Sequence, residues 1–149
     1  MRATVQRVHE AQVVVDGAVV GAIATGLLVY VGVAHDDGPA DVRYLAEKIS
    51  GLRIFTDNNG KMNLDVREVA GSVLVISAFA LQADARKGRR PSFDAAAPPE
   101  HANTLYEQLC DTLAESGLQV ARGVFRAHME VSSVNNGPIC ILLDSKRVF

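Results

Sequence analysis

The sequence predicts a single α+β domain, with several mostly antiparallel strands and two main helices. Three observations predict it. Short apolar runs are bounded by turn residues; two longer stretches carry apolar residues at three- and four-residue spacing; and the chain is 149 residues long and 48% hydrophobic. Short bounded runs argue strands, the longer period argues amphipathic helices, and their mixed order argues α+β. Residues 1–149 are read as one domain, long enough to bury a sizeable core.

The elements follow in order. Val13-Val14-Val15, then Asp16-Gly17, then Val19-Val20 is a hairpin pattern, because Asp-Gly accepts the positive φ of a tight primed turn. Leu27 to Val33 is a continuous apolar run that reads as a buried strand, broken by His35-Asp36-Asp37-Gly38-Pro39. From Ala40 to Leu52, apolar Val42, Leu45, Ala46, Ile49 and Leu52 share one helical face, with Arg43, Glu47 and Lys48 on the wet side. Arg53-Ile54-Phe55 reads as a short strand, Asp57-Asn58-Asn59-Gly60 as a turn, and Val73 to Phe79 as a buried strand. Arg86 to Pro99 holds three of the five prolines and is the one long irregular segment. A loop of about 14 residues without regular structure is more often functional than idle. Glu100 to Ser116 is a second amphipathic helix, with Leu105, Leu109, Leu113 and Cys110 inward and Gly117 at its C-cap. Strands are expected at Val120–Val124, Ala127–Val134 and Ile139–Leu143, the last two joined by a turn at Asn135-Asn136-Gly137-Pro138.

Fifteen basic against 17 acidic side chains, a net charge of -2, exclude a broad basic coat for nucleic acid and a highly charged disordered chain. No stretch approaches the roughly 20 apolar residues of a bilayer span. Met1 to Arg7 has no apolar run of signal-peptide type. Cys110 and Cys140 are too few for a disulfide scaffold, so a reduced, cytoplasmic protein is expected. His9, His35, His101 and His128 are scattered without ligand spacing, and neither metal nor cofactor is expected. Cys140 is expected in the core, since nothing beside it in sequence lowers a thiol pKa. Arg86-Lys87-Gly88-Arg89-Arg90 is the densest positive run, either a solvated loop or a local phosphate contact. Gly137-Pro138 either closes a turn or, if cis, aims successive carbonyl oxygens one way as a rigid acceptor site.

Several stretches together resemble the D-aminoacyl-tRNA deacylases, formerly D-tyrosyl-tRNA deacylases. They include Gln6-Arg7-Val8, Leu45-Ala46-Glu47-Lys48-Ile49, Leu52-Arg53-Ile54-Phe55, Gly60-Lys61-Met62-Asn63, Lys87-Gly88-Arg89-Arg90-Pro91-Ser92-Phe93 and Met129 through Asp144. Two signature motifs of the family are altered. Ser77-Ala78-Phe79-Ala80-Leu81 stands where the family normally has Ser-Gln-Phe-Thr-Leu. Asn135-Asn136-Gly137-Pro138-Ile139-Cys140 stands where it normally has Asn-x-Gly-Pro-x-Thr.

The resemblance implies a curved, barrel-like sheet and a homodimer with two sites at the subunit interface. It implies that Gly137 and Pro138, in cis, reach into the partner's pocket, hold the substrate's α-amino group and block an L side chain. Arg7 and Asn135 would support that loop. Phe79, Phe125, Met129 and Cys140 would lie near the pocket for the terminal adenosine and aminoacyl group. Catalysis would rest mainly on backbone amides of Ser77, Ala78, Phe79 and Ala80, with no metal. Arg86, Lys87, Arg89 and Arg90 would meet phosphates of the tRNA acceptor end. The implied activity is hydrolysis of D-aminoacyl-tRNA, and of mischarged glycyl-tRNA, away from any membrane. Two other readings stand beside it. One is an aminoacyl-tRNA-binding homologue with weakened turnover, motivated by the two alanines. The other is a hydrolase that uses Cys140 as its nucleophile.

Overall fold

The computed structural model describes all 149 residues, Met1–Phe149. The strand β1 (Arg2–Val15) organises it. Along one edge β1 pairs antiparallel with β3 (Gly26–Gly32) and then with β2 (Ala18–Ile23). Along the other it pairs antiparallel with β8 (Glu130–Asp144), from Arg2 opposite Asp144 to Val14 opposite Glu130. β6 (Ser72–Ser77) lies parallel to β3, and β7 (Gln119–Arg122) parallel to β6. The sheet order is β2-β1-β3-β6-β7, so the sheet is mixed, with antiparallel pairs in the majority. A Cβ added to Gly21 in β2 would lie 2.7 Å from the Arg122 carbonyl oxygen in β7. The two ends of the sheet therefore curl together into a nearly closed barrel, and only glycine permits that approach. A small hairpin of β4 (Phe55–Thr56) and β5 (Met62–Leu64) stands apart.

The apolar runs are continuous because both faces of the sheet are buried. Leu27, Val29 and Val31 in β3, and Val73 and Val75 in β6, point into the larger core. Their alternates Leu28, Leu74 and Ile76 point into a second, smaller core inside the curl with Val8, Val13 and Ile23. The helices α1 (Pro39–Gly51) and α2 (Pro99–Glu115) cover the outer face, burying Leu45, Ile49, Leu105, Leu109 and Leu113. Each fully buried aliphatic side chain contributes about 1.5–3 kcal/mol relative to exposure. Both helices start on a proline, where the missing N–H has no intrahelical partner to lose. Ser116 caps the C-terminus of α2, with Gly117 following at φ +91°. Asp16 and Gly17, at φ +49° and +79°, make the β1–β2 turn that Asp-Gly predicts.

Three expectations are corrected. Asn135-Asn136-Gly137-Pro138 does not join two strands. It lies within the single strand β8, where pairing steps from Cys140 opposite Gln6 to Asn135 opposite Val8. The intervening residues bulge out against one residue of β1, so a Gly-Pro pair serves as a bulge rather than as a hairpin end. Ala127 and His128 lie outside β8, which starts at Glu130. Phe79 does not end β6 but begins a 3-10 turn, Phe79–Gln82.

The N-terminus is fastened by a charge network. The Met1 ammonium is buried against the equally buried Asp37 carboxylate and donates to Ser145 Oγ at 2.6 Å. Ser145 Oγ donates onward to Asp41 Oδ1 at 2.6 Å, which also lies 3.1 Å from Lys146 Nζ. Asp37 further accepts the Ala34 amide at 2.6 Å, and its own carbonyl lies 2.9 Å from His101 Nε2. At Asp41, partial burial pushes the carboxyl pKa up. Hydrogen bonds from Ser145, the Gly38 amide and Lys146 outweigh it and hold the group down at about 2. A carboxylate depressed in the folded state adds stability that is full above its unfolded pKa near 4 and vanishes below its folded one. Acid unfolding followed by urea titration at successive pH values is therefore expected to show stability falling from about pH 4 toward pH 2. Asp41→Asn is expected to lower stability at neutral pH and to flatten that fall.

Candidate active site

The site forms where β6 leaves the sheet. Ser77 is paired with Val31, and the Ala78 amide donates to the Val31 carbonyl at 2.8 Å. The chain then tightens into the 3-10 turn, closed by Leu81 N–H to the Ala78 carbonyl at 3.1 Å. The first amides of such a turn, those of Phe79 and Ala80, have no acceptor within the turn itself. The Ala78 amide is already engaged, so the amides of the turn left without an acceptor in it are those of Phe79 and Ala80. The buried Gln82 holds the turn down, its Nε2 donating to the Gly32 carbonyl at 2.8 Å. A Cβ on Gly32 would come within 2.8 Å of the Ala78 carbonyl oxygen and 2.9 Å of Leu81 Cβ, so β3 ends in glycine where the turn crosses it.

This turn forms one wall of a pocket of about 460 Å³. Ser77, Ala78, Phe79 and Ala80 line it on that side, and Phe125, Arg126, Ala127 and Met129 face them. Val31 and Val33 of β3 and Ala102 and Tyr106 of α2 complete the apolar lining with Ala96, Ala97 and Pro99. The Tyr106 hydroxyl donates to the Val75 carbonyl at 2.9 Å, which also accepts the Gly123 amide at 3.0 Å. Those two bonds tie α2 and the Gly123–Met129 loop to the same point of β6. Burial pushes the Tyr106 phenol well above its ordinary pKa, so it stays a neutral donor. Its ring lies 6.1 Å from that of Phe125. At the rim, Phe79 is 63% exposed and meets Phe93 edge-on at 5.0 Å.

The structure thus brings Ser77, Ala78, Phe79, Ala80, Phe125 and Met129 to one pocket. Gly137, Pro138, Arg7, Asn135 and Cys140 do not line it. They form a separate constellation at the β8 bulge. The Gly137-Pro138 peptide is cis, and both residues are exposed. Asn135 Oδ1 accepts the Ile139 amide at 3.1 Å, closing the bulge on itself. Arg7 is only 8% exposed and forks beneath it. Nε donates to the Asn136 carbonyl at 3.1 Å, Nη2 to Asn136 Oδ1 at 3.3 Å, and Nη1 to the Ile54 carbonyl. One guanidinium therefore links the bulge to the segment entering β4, a task its five fixed donors suit.

Cys140, expected in the core, is instead exposed. Its neighbours Ile139 and Ile141 pack against the larger core, so strand alternation turns Cys140 outward. Its sulfur lies 3.9 Å from Gln6 Nε2. Cys110 faces inward as the helical period predicts, and burial pushes its thiol up to about 11. In the basic run, Arg86 is taken up by Asp84 at 2.6 and 2.9 Å, and these bonds hold that carboxyl far below its usual range. Lys87, Arg89 and Arg90 are exposed, beyond the Asp84–Ser92 bridge that closes the loop. Sequence reasoning missed three residues of the pocket region: Tyr106, Phe93 and Arg126. Tyr106 sits on the apolar stripe of α2 and gives no signal of its own. Phe93 lies in the long irregular segment, whose composition singles out no one residue. Arg126, at φ +64°, has no sequence mark of its backbone conformation. No three His, Cys, Asp or Glu side chains are placed so that they could hold a metal ion. No helix is long and apolar enough to cross a membrane.

The fold and site define a barrel-like α+β domain with an apolar pocket walled by backbone and a separate, arginine-braced Gly-Pro bulge. Residues 4–144 match the family described as D-Tyr-tRNA(Tyr) deacylase. A protein of Anaeromyxobacter dehalogenans (strain 2CP-C) named D-aminoacyl-tRNA deacylase is 62% identical, over the full length of both chains. One of the same name from Thermotoga petrophila is 56% identical, again over both full lengths. Among solved structures, one titled c-Myc DNA Unwinding Element Binding Protein superposes with a TM-score of 0.91 and 34% identity, covering 97% of this chain and 98% of its own. Another, titled as a probable eukaryotic D-amino acid tRNA deacylase, has a TM-score of 0.81 at 17% identity, over 95% of this chain and 97% of that one, and bears on the fold alone. The chain belongs to the D-Tyr-tRNA(Tyr) deacylase family.

The two thiols are expected to separate cleanly. At neutral pH the folded protein should take up one equivalent of a disulfide-exchange reagent, at Cys140, and a second only after unfolding. Cys140→Ser should abolish the first uptake; two fast equivalents in the native protein would contradict the burial of Cys110.

Proposed function

We propose that this chain hydrolyses the ester between a D-amino acid, or glycine, and the 3′-terminal ribose of tRNA. The observation that carries the reading is the wall of the pocket. It offers backbone amides and mostly apolar side chains, with the Ser77 hydroxyl but no carboxylate, imidazole or thiol beside it. Such an ester is already activated and has a vicinal hydroxyl beside it, so positioning does much of what side-chain chemistry does elsewhere. Water adds to the acyl carbon, the bond from that carbon to the ribose 3′ oxygen breaks, and a proton passes from water to the ribose oxygen. Negative charge grows on the acyl oxygen as water adds. The amides of Phe79 and Ala80 are the groups we assign to it; one such donor is worth about 10²–10³ in rate. The family name of its relatives supports the substrate class.

In this reading the protein works in the cytoplasm as a homodimer. Gly137 and Pro138 of one protomer reach the pocket of the other. Their exposure, and their absence from the lining of their own protomer's pocket, fit such an exchange. There they receive the α-amino group and exclude an L side chain. Arg7 acts as a positioning residue for them, and Asn135 closes the loop. Lys87, Arg89 and Arg90 meet acceptor-end phosphates, with Arg86 contributing less because Asp84 neutralises it. A second reading is favoured by one observation, the absence of side-chain functional groups at Ala78 and Ala80. In it the chain binds aminoacyl-tRNA but turns it over weakly.

Hydrolysis of D-tyrosyl-tRNA beside L-tyrosyl-tRNA decides between them. The expected result is clear turnover of the D ester and rejection of the L ester. Equal rates, or D turnover no faster than buffer, overturn the proposal, and tight binding without turnover favours the second reading. Ala80→Thr is expected to raise the rate by less than about tenfold, because backbone donors already carry the oxyanion; a gain of several orders of magnitude would make that hydroxyl essential. Arg7→Lys keeps the charge but cannot span three acceptors, and is expected to narrow the D-over-L ratio with less effect on the D rate.

A further inference from the structure

Arg126 stands out in the pocket. It is the one charged residue among the 15 that line it, 12 of which are hydrophobic. It is exposed, and its guanidinium enters no ion pair or side-chain hydrogen bond. Several other arginines are engaged: Arg2 with Asp144, Arg67 with Asp65, Arg86 with Asp84, Arg122 with Asp111, and Arg53 with Asn63; Arg43, Arg89 and Arg90 are also unpaired but do not line the pocket. Its backbone is equally unusual. Arg126 has φ +64°, in a turn closed by Ala127 N–H to the Val124 carbonyl at 3.2 Å. A bulky residue in the left-handed region is strained, and such strain concentrates at ligand clamps and active sites. Its neighbours Phe125 and Ala127 both line the cavity, so the strained position sits at the cavity's exposed edge.

We propose that Arg126 is a phosphate-binding residue of this site, holding the phosphodiester on the 5′ side of the terminal nucleotide. The inference rests on the deacylase reading, which puts the terminal nucleoside and its ester in the pocket. The first group to emerge from the pocket is then that phosphate. A planar guanidinium with free donors matches its oxygens in a fork. Lys87, Arg89 and Arg90 lie on a different segment, the one whose Phe93 meets Phe79 at the rim. They serve phosphates further from the ester. Arg126 is exposed at the edge and not enclosed in the cavity, which favours a backbone phosphate over an acidic aminoacyl side chain.

The test compares D-tyrosyl-tRNA with the D-tyrosyl ester of adenosine, which carries no phosphate, and adds the D-aspartyl ester of adenosine. Arg126→Gln is expected to lower kcat/KM on the tRNA ester about tenfold, mainly through KM. It should also reduce the slope of log kcat/KM against log salt by about 0.7, the value for one contact to a single strand. Neither adenosine ester should respond. Arg126→Lys should recover part of the loss. Arg126→Gly suits the positive φ and should show the same substrate-dependent loss with no fall in melting temperature. An equal loss on all three esters, no loss on the tRNA ester, or a loss confined to the D-aspartyl ester overturns the inference. Wild-type inactivity on every ester overturns the deacylase reading and this inference with it.

Discussion

β1 is hydrogen-bonded along both edges, to β8 on one side and to β3 and β2 on the other. That double engagement bends the sheet, because β2 and β3 must share one edge of a single strand. The bend brings Gly21 against Arg122 and nearly closes the barrel. It also sets both candidate sites. β3, held by β1, fixes β6 beside it, and β6 delivers Ser77 to Ala80 to the pocket wall. Where the β1–β8 ladder cannot stay in register around the bend, β8 expels the Gly137-Pro138 bulge, and Arg7 of β1 braces it from below. A one-residue slip of β1 would turn its buried Val5, Val8 and Val13 outward and take Arg7 off the bulge.

Much of this was legible in the residues and some was not. The buried strands read at Leu27–Val33 and Val73–Phe79, the second two residues too long, both helices and the Asp16-Gly17 turn follow from local period and turn chemistry, which tertiary context reinforces here. The Gly-Pro segment was misread as a hairpin turn because the same residues suit a turn and a bulge; which one forms depends on a partner strand more than 120 residues away. Cys140 was misplaced for a related reason. An apolar run in a strand looks buried throughout, but β8 is covered on one face only, so Ile139 and Ile141 go in and Cys140 goes out. The pocket residues were found through the family motifs, whereas Arg126 and Tyr106 needed coordinates. A left-handed φ at an arginine and a hydroxyl aimed at a strand carbonyl leave no pattern in a single sequence.

A net charge of -2 says little about affinity for a polyanion, because it does not say where the cations stand or which of them are already paired. Arg2, Arg67, Arg86 and Arg122 face carboxylates at 2.6–3.0 Å, and Lys146 sits among Asp36, Asp37 and Asp41. Arg7 is buried under the bulge. Among the cations left outside the ion pairs, Lys87, Arg89 and Arg90 share one loop and Arg126 lines the pocket. A few unpaired cations contacting a few phosphates is a salt-sensitive, local arrangement. It needs no basic surface, and it leaves the rest of the chain free to be acidic.

The two alanines of the Ser77–Leu81 segment bear on how such a site tolerates change. A side-chain nucleophile or base is lost with a single substitution. A backbone N–H survives any substitution except proline, provided the backbone itself does not move. Here the backbone is held by groups outside the motif: the Val31 carbonyl on the Ala78 amide, Gln82 on Gly32, and the close passage over Gly32 that no larger residue would permit. The residues that most need to stay the same are therefore not those facing the pocket. They are Gly32 and Gln82 behind the turn, and Arg7 behind the bulge. Ala78 and Ala80 are unremarkable side chains on a backbone that is fixed from the other side.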